Sequence, residues 1–371
     1  MRIYLDNNAT TAIDEDVLSV VESSLRDVFG NASSIHREGQ TARRTIESAR
    51  ESVARLIGAT ARDLVFTSGG TESNNAAIFG AVGRDLRCHI VTSAIEHPSV
   101  AEAVRELESR GCEVTRVMPS RSGLVAAEEV IAAMREETRL VTVMLANNET
   151  GVIQPVAEIG AACRARNVHF HCDAVQAAGK ISIDVEALQC DTLAISAHKL
   201  HAPKGIGALY VRRGLTMAAH LVGGAQERRR RAGTENVPLA AAFGAAAALP
   251  SRTSEIAALR DRFESRVRAS LAVTINGFAV PRLPNTSNVT FVGADGEGIV
   301  IALDLSGVAV STGSACSSGR VEPSPVLLAM GLTPEEAKST VRFSLSRFTT
   351  EEEVDRAASL LVELVPRCMR P

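Results

Sequence analysis

A lysine and an acid stand at the ends of two short apolar runs. Lys199 lies in Ser196–His201, directly after Thr192–Ile195, and Asp173 closes the run Val168–Cys172. In pyridoxal phosphate chemistry a lysine amine holds the cofactor as a Schiff base, and an acid keeps the pyridine nitrogen protonated so that the ring accepts electrons. Because most lysines and aspartates are solvated surface charges, the pair gains its weight from polar groups elsewhere in the chain.

A glycine-rich segment is a candidate phosphate site. Ser68–Ser73 reads Ser-Gly-Gly-Thr-Glu-Ser and stands between the apolar run Leu64–Thr67 and a predicted helix. Glycines let the backbone approach an anion, and a helix N-terminus offers free N–H groups and the positive end of a dipole. Gly70 and Thr71 are therefore candidates to hold a phosphate. An ordinary capped turn is the alternative, and this segment alone favours it.

Two more polar residues follow predicted strands. His97 precedes Pro98, which suits the first position of a helix, so its ring either stacks on a planar group or caps the helix. Asn148 follows Leu140–Leu145. A buried amide needs a partner, so Asn148 bonds a cofactor or substrate oxygen, or else closes an Asx-turn.

A histidine pair raises the question of a metal. His169 and His171 share one face of a predicted strand, whereas Cys172 points to the other face. No further ligand cluster has convincing spacing, so we expect no metal site.

The C-terminal third carries a candidate nucleophile and a candidate carboxylate ligand. Cys316 lies among small residues in Ser311–Gly319, the composition of a mobile loop, and such a loop suits a thiol that must travel. Arg342 has the planar fork that binds a carboxylate through two hydrogen bonds, with a surface salt bridge as the alternative.

Four consecutive arginines, Arg228–Arg231, suggest a nucleic-acid site. The chain is slightly acidic overall, at −3, and only 3% of its residues are aromatic, which argues against a general nucleic-acid binder or a base-stacking platform. An interface, a phosphate-facing loop or a solvated loop are the other interpretations of this segment.

Composition indicates a globular protein of 371 residues, with 45% hydrophobic and 22% charged residues. The N-terminal residues lack the apolar stretch of a signal peptide, and no apolar run is long enough to span a membrane. The seven cysteines are scattered without a Cys-x-x-Cys pair, which favours a reducing cytoplasm over a disulfide framework or a zinc ribbon.

Short apolar runs alternate with amphipathic helical segments from about residue 40 to 250. This alternation predicts a mostly parallel sheet covered by helices on both faces, with ligands at the carboxyl ends of its strands. A smaller α+β unit is predicted after Leu249–Ser251. The seven predicted strands of the first part are Leu64–Thr67, His89–Thr92, Val114–Val117, Leu140–Leu145, Val168–Cys172, Thr192–Ile195 and Ala208–Val211.

Taken together, these segments resemble the cysteine desulfurases of the NifS/IscS type, which are fold-type I pyridoxal phosphate enzymes. The resemblance covers nearly the whole chain, from Tyr4–Thr11 to Arg342–Leu345. It implies an α/β fold with a large domain at 13–250, built on a mostly parallel seven-stranded sheet. A smaller α+β domain is implied for 1–12 and 251–371.

The resemblance also implies roles for single residues. Lys199 is expected to form the Schiff base and later to move the substrate α-proton, and Cys316 to attack the substrate sulfur. Asp173 is expected to bind the pyridine nitrogen and Gln176 the ring hydroxyl, and His97 is expected to stack on the ring. The residues expected to bind the phosphate are Gly70, Thr71, Ser196 and His198, and Thr234 is expected to bind the phosphate in the partner subunit's site. Asn148 and Arg342 are expected to bind the carboxylate of L-cysteine.

The implied partners are a second copy of the chain, with shared sites in a homodimer, and a sulfur-acceptor protein in iron–sulfur cluster assembly or nucleic-acid thiolation. A selenocysteine lyase, or a related lyase or aminotransferase, is the alternative within enzymes, and Cys316 argues against it because transamination needs no thiol. An inactive partner-binding homologue is the alternative outside enzymes, and the joint presence of Lys199, Asp173 and Cys316 argues against that. Direct nucleic-acid binding by the arginine run ranks last.

Overall fold

The computed structural model describes residues 2–83, 86–312 and 322–369. The strands of this part are β1 (Ile3–Tyr4), β2 (Leu64–Thr67), β3 (His89–Ser93), β4 (Glu113–Val117), β5 (Thr138–Thr142), β6 (His169–Asp173), β7 (Thr192–Ser196), β8 (Gly207–Val211), β9 (Val273–Ile275), β10 (Thr286–Phe291), β11 (Val308–Ala309) and β12 (Thr340–Ser344). The α-helices are α1 (Glu15–Asp27), α2 (Arg37–Leu56), α3 (Gly70–Val82), α4 (Pro98–Ser109), α5 (Ala127–Ala133), α6 (Val156–Ala165), α7 (Val237–Ala247), α8 (Thr253–Ser270), α9 (Gly296–Leu305), α10 (Pro325–Ala329), α11 (Pro334–Lys338) and α12 (Glu351–Leu364).

The central element is a seven-stranded sheet in the order β2-β8-β7-β6-β5-β3-β4. Strand β8 runs antiparallel to β2 and β7, and the remaining neighbours are parallel. Every residue of β2, β3, β7 and β8 is buried, as expected for strands covered by helices on both faces. The mostly parallel seven-stranded sheet predicted from the sequence is confirmed.

The predicted strand bounds of the central sheet are within one residue of the observed ones except at one strand. The predicted strand Leu140–Leu145 is β5, which covers Thr138–Thr142. The backbone amides of Val143 and Leu145 still donate to the carbonyls of His171 and Asp173, at 3.3 and 2.8 Å. The apolar run therefore continues past the regular ladder, and it carries the chain toward the carboxyl end of β6.

Helices α2 and α7 pack closely against each other through small residues. Helix α7 is rich in alanine and lies against α2. A Cβ atom on Gly244 would come within 2.6 Å of the Ala49 Cα atom, so only glycine allows this approach.

None of the helices in the described part of the chain is both long enough and apolar enough to cross a membrane.

The described residues form two large hydrophobic clusters. The first surrounds the seven-stranded sheet and includes Phe66, Phe170 and Phe243. The second is built on the antiparallel sheet β12-β10-β9 with helices α8, α9 and α12, and Ile3 and Leu5 belong to it. Leu283 and several residues of α10 and α11 pack in the first cluster although they follow residue 250. The domain boundaries remain a prediction.

The arginine-rich segment is tied to the body of the protein by a buried ion pair. The guanidinium of Arg50 on α2 donates to both carboxylate oxygens of Glu227, at 2.6 and 2.9 Å, and the backbone N–H of Phe66 donates to the same carboxylate at 3.1 Å. Glu227 adopts the left-handed conformation, with a φ of 44°, as do the next two residues. Arg231 is paired with Glu72 at 2.9 Å. Part of the arginine run thus serves internal contacts.

Replacing Glu227 with alanine should lower the free energy of unfolding by about 3–5 kcal/mol, because it leaves the buried Arg50 guanidinium with only the exposed Glu47, at 3.3 Å, as a counter-charge. The measurement is a chemical denaturation curve. Glu106→Ala is the matched control, since Glu106 pairs with Arg110 at 2.7 Å in an exposed position, where an ion pair contributes at most about 1 kcal/mol. Equal losses in the two variants would contradict the prediction.

Candidate active site

A cavity of about 290 Å³ lies at the carboxyl ends of the parallel strands. This volume is close to the lower end of the roughly 300–1,000 Å³ found for small-molecule sites. The cavity is lined by Ala9, Gly70, Thr71, Asn74, His97, Ser99, Met144, Ala146, Asn148, Asp173, Val175, Gln176, Ser196, His198 and Lys199. Nine residues proposed from the sequence therefore share one cavity, although they come from distant parts of the chain.

Lys199 enters the cavity from the short turn that follows β7. Its Nζ donates to the backbone carbonyls of Asn8 and Ala9, at 2.5 and 2.7 Å. Burial lowers the pKa of Lys199 to about 8, with a further contribution from the positive charge of Arg342, while Asp6 and Asp173 oppose the change. At neutral pH a larger fraction of this amine is therefore uncharged, and nucleophilic, than in an ordinary lysine.

Asp173, at the end of β6, is held on both oxygens. The side-chain amide of Asn74 donates to its Oδ2 at 2.8 Å, and the backbone N–H of Val175 donates to its Oδ1 at 2.9 Å. Each carboxylate oxygen has a second lone pair, so the group can accept a further N–H from a bound ring. Helix α3 thus positions the carboxylate through Asn74, which sequence reasoning did not identify.

The two strand histidines belong to the support of Asp173. Asn74 donates its amide hydrogens to Asp173 and Ser99, so its Oδ1 must accept from Nε2 of His171, at 3.0 Å. Nδ1 of His171 then accepts from the hydroxyl of Thr192 at 2.9 Å, and Nε2 of His169 donates to that hydroxyl at 3.0 Å. Burial lowers the pKa of His171 to about 3 and that of His169 to about 4, so both rings are neutral.

His97 both caps a helix and lines the cavity. Its Nδ1 accepts from the backbone N–H of Ser99 at 3.1 Å and lies 2.8 Å from the Ser99 hydroxyl, at the start of α4. Burial lowers the pKa of His97, and the nearby charge of Asp173 opposes this. The two interpretations of His97, as a cap and as a flat ring facing a ligand, are therefore compatible.

The start of α3 also lines the cavity. A Cβ atom on Gly70 would lie 2.8 Å from a methyl group of Val175, so glycine is needed for this close approach. The first backbone N–H groups of a helix have no partner within the helix and favour an anion. Ser196 and His198 lie at the same cavity, and burial lowers the pKa of His198 to about 4.

Asn147 and Asn148 follow one another in the chain but have different roles. Oδ1 of Asn147 accepts from the backbone N–H groups of Glu149 and Thr150, at 2.9 Å each, so Asn147 makes the Asx-turn. Asn148 lines the cavity instead. The Asx-turn alternative thus describes the preceding residue, and Asn148 stays a candidate ligand for a substrate or cofactor.

Arg342 contacts the backbone of Asn148 but is not among the residues that line the cavity. One Nη donates to the Asn148 carbonyl at 3.1 Å, and the other pairs with Asp6 at 2.7 Å. The side chain is 4% exposed, so the surface salt bridge considered from the sequence is in fact a buried one. Its Nε is buried and has no hydrogen-bond partner in the described part of the chain.

Besides Arg342, two other proposed residues are not placed at the cavity. Thr234 is exposed and is not among the lining residues. Cys316 lies outside the described residues. None of the six described cysteines is among the residues that line the cavity. Five of them are buried, and Cys368 is partly exposed. The roles of Thr234 and Cys316 stay predictions.

Asn8 makes hydrogen bonds to several residues of the site, although sequence reasoning gave it no role. Its backbone carbonyl accepts from Lys199 and from Nε2 of Gln176, at 2.5 and 2.9 Å. Its Nδ2 donates to the Asn148 carbonyl at 3.1 Å and to the Thr286 hydroxyl at 2.8 Å. The signal available in the sequence was a pair of consecutive asparagines directly after a short apolar run.

The donor set of the cavity suits pyridoxal phosphate. A carboxylate for the ring nitrogen comes from β6, a helix N-terminus for the phosphate comes from α3, and a lysine amine lies at the same cavity. An imidazole ring lines the cavity as well. These groups match the cofactor's chemistry at both ends and at its reactive carbon.

Comparisons with known proteins agree with this geometry. The family model Aminotransferase class-V matches residues 3–357. A cysteine desulfurase of Nostoc sp. strain PCC 7120 is 46% identical over 372 aligned residues, which are 98% of this chain and 93% of that protein. A solved structure of a NifS-like protein has a TM-score of 0.91 and 35% identity, covering 99% of this chain and 100% of its own.

A solved structure described as SspA in complex with cysteine has a TM-score of 0.86 and 36% identity, and covers 94% of this chain and 100% of its own. Relatives at this identity, over nearly the full length, share a fold and a cofactor with this chain. The chain therefore belongs to the class V aminotransferase family, and its cofactor is pyridoxal phosphate.

Proposed function

We propose that the chain is a cysteine desulfurase, which converts L-cysteine to L-alanine and passes the sulfur to a cysteine thiol of its own. The observation that carries this proposal is the convergence of Lys199, Asp173 and Asn148 on one cavity. It is supported by the relatives named cysteine desulfurase and by the similar structure of SspA, which was solved with cysteine.

Each wall of the cavity would hold one part of the cofactor. Asp173 would accept the N–H of the pyridine ring, His97 would stack on the ring, and Gln176 would bond the ring hydroxyl. The start of α3 would hold the phosphate through Gly70 and Thr71, together with Ser196 and His198. When bound, pyridoxal phosphate withdraws electrons from the bonds around the substrate's α carbon and so weakens them.

The remaining steps belong to the side chains. Asn148 orients the substrate carboxylate together with Arg342, whose guanidinium must turn from the Asn148 carbonyl to reach it. Lys199 removes the α-proton through its Nζ, whose lowered pKa suits a base near neutral pH. The thiolate of Cys316 then forms a bond with the substrate sulfur while the carbon–sulfur bond breaks. Protons return to the carbon product, so that cysteine and a protein thiol become alanine and a protein persulfide.

The persulfide sulfur passes to an acceptor protein, in iron–sulfur cluster assembly or nucleic-acid thiolation. We also propose a homodimer, in which Thr234 reaches the phosphate of the partner subunit's site, because Thr234 is exposed and away from the cavity of its own chain. A reducing cytoplasm suits this chemistry, because a persulfide on a protein thiol is transferred to other thiols.

Purified protein should form alanine from L-cysteine and release sulfide only when a thiol such as dithiothreitol is present, because the thiol must discharge the persulfide. Alanine and sulfide are measured separately, and L-selenocysteine is supplied in a parallel assay. Failure to form alanine by a protein that carries its yellow cofactor would contradict the proposal. Turnover of selenocysteine alone would favour the selenocysteine lyase.

A further inference from the structure

Gln176 lines the cavity, and both ends of its amide are bonded to the protein. Its Oε1 accepts from Nζ of Lys180 at 2.9 Å, and its Nε2 donates to the backbone carbonyl of Asn8 at 2.9 Å. Lys180 is not among the residues that line the cavity. Any effect of Lys180 on a bound cofactor must therefore pass through Gln176, through Asn8 or through its own charge.

The two neighbours together define which way the amide points. The oxygen and nitrogen of a glutamine amide are nearly the same size, so their placement follows from the hydrogen-bond network. A backbone carbonyl only accepts and a lysine ammonium only donates, so the nitrogen faces Asn8 and the oxygen faces Lys180. One of the two Nε2 hydrogens is used by Asn8, and the second remains for a ligand.

Lys180 is itself firmly placed. Its Nζ also lies 3.4 Å from Oδ1 of Asn8, and the backbone carbonyl of Lys180 accepts from the hydroxyl of Thr253 at 3.1 Å. Burial and the charges of Lys199 and Arg342 lower the pKa of Lys180. Two acceptor oxygens face its Nζ, so the amine donates to them in either protonation state.

We propose that Lys180 is a positioning residue, which fixes the amide of Gln176 so that an N–H, and not a carbonyl oxygen, meets the ring oxygen of the cofactor. The inference rests on the proposed function, because it assumes that Gln176 contacts that ring oxygen. A donor there stabilises the ionised ring hydroxyl. The ring oxygen then attracts the proton on the nitrogen that joins Lys199 to the cofactor less strongly, so this proton is lost at a lower pH.

The test is the pH midpoint at which the absorption band of the bound cofactor changes, measured without substrate. Lys180→Met and Gln176→Leu should each raise this midpoint, by about one unit, since each removes the oriented donor. The double variant should show no larger shift than Gln176→Leu alone, because the two residues act as one unit. Additive shifts would overturn the inference and assign Lys180 a purely electrostatic role.

Two further variants keep the test independent of folding. Lys180→Arg retains donors at this position and should keep the wild-type midpoint, so a shift as large as that of Gln176→Leu would contradict the inference. Lys338→Met makes the same chemical change as Lys180→Met at an exposed position and should not move the midpoint. A wild-type protein without any cofactor band would refute the proposed function itself, whereas additive shifts in a protein that forms alanine would refute only the role of Lys180.

Discussion

Replacing Lys199 with alanine should reduce the rate of alanine formation from cysteine by at least ~10³-fold, because the variant loses both its covalent hold on the cofactor and its proton-transfer group. The fold should be kept, since the lost contacts are two hydrogen bonds to the carbonyls of Asn8 and Ala9. The measurement is single-turnover alanine formation with cofactor in excess, so that weaker binding does not limit the rate.

Lys204→Ala is the matched control for this variant. Lys204 is an exposed lysine five positions further along the chain, and it is not among the residues that line the cavity. We expect the control to keep the wild-type rate. A Lys199→Ala variant that retained more than about a tenth of the wild-type rate would refute the role of Lys199, since general acid–base catalysis alone contributes roughly 10²–10⁴-fold.

Replacing Cys316 with alanine should leave the yellow cofactor in place but abolish thiol-dependent sulfide release, because no other group is proposed to take the substrate sulfur. Cys316 lies outside the described residues, so this expectation rests on the sequence and on the other cysteines. Those six do not line the cavity. The measurement pairs an absorption spectrum with a sulfide assay on the same sample.

Cys368→Ala serves as the control for Cys316. Cys368 is partly exposed, and burial with the nearby charge of Asp295 raises the pKa of its thiol, so it carries little thiolate at neutral pH. We expect this variant to release sulfide at the wild-type rate. Full activity of Cys316→Ala, or loss of activity in Cys368→Ala, would require a different nucleophile.

Much of the sheet and of the cavity could be predicted because both depend on local patterns. Buried parallel strands appear as continuous apolar runs, and polar clusters after such runs must meet at one edge of the sheet. Lys199, Asp173 and Asn148 were found in this way. The glycine-rich segment before α3 could be a phosphate site or an ordinary capped turn on its sequence alone. The structure favours the phosphate site, because Gly70 lines the same cavity.

What could not be predicted depends on contacts between distant parts of the chain. The partners of Asn8 stand 168 and 191 positions away in the sequence, and nothing in its local pattern identifies them. Asn74 and Lys180 act through another side chain, so their residue types alone suggest no chemistry. Helix α1 was not predicted, although Asp14 caps it and its residues are amphipathic; only Val17 and Ser24 of this helix are buried.

The position of Asn8 has a consequence for how the enzyme matures. Asn8 precedes Ser344 by 336 residues in the chain, yet its backbone N–H donates to the Ser344 hydroxyl at 2.9 Å and its side chain donates to Thr286. Contacts of such long sequence separation form late in folding, because the loop they close is costly in entropy. The carbonyl that holds Lys199 is therefore fixed only after residue 344 has been synthesised. A nascent chain with a complete seven-stranded sheet would still lack its finished active site.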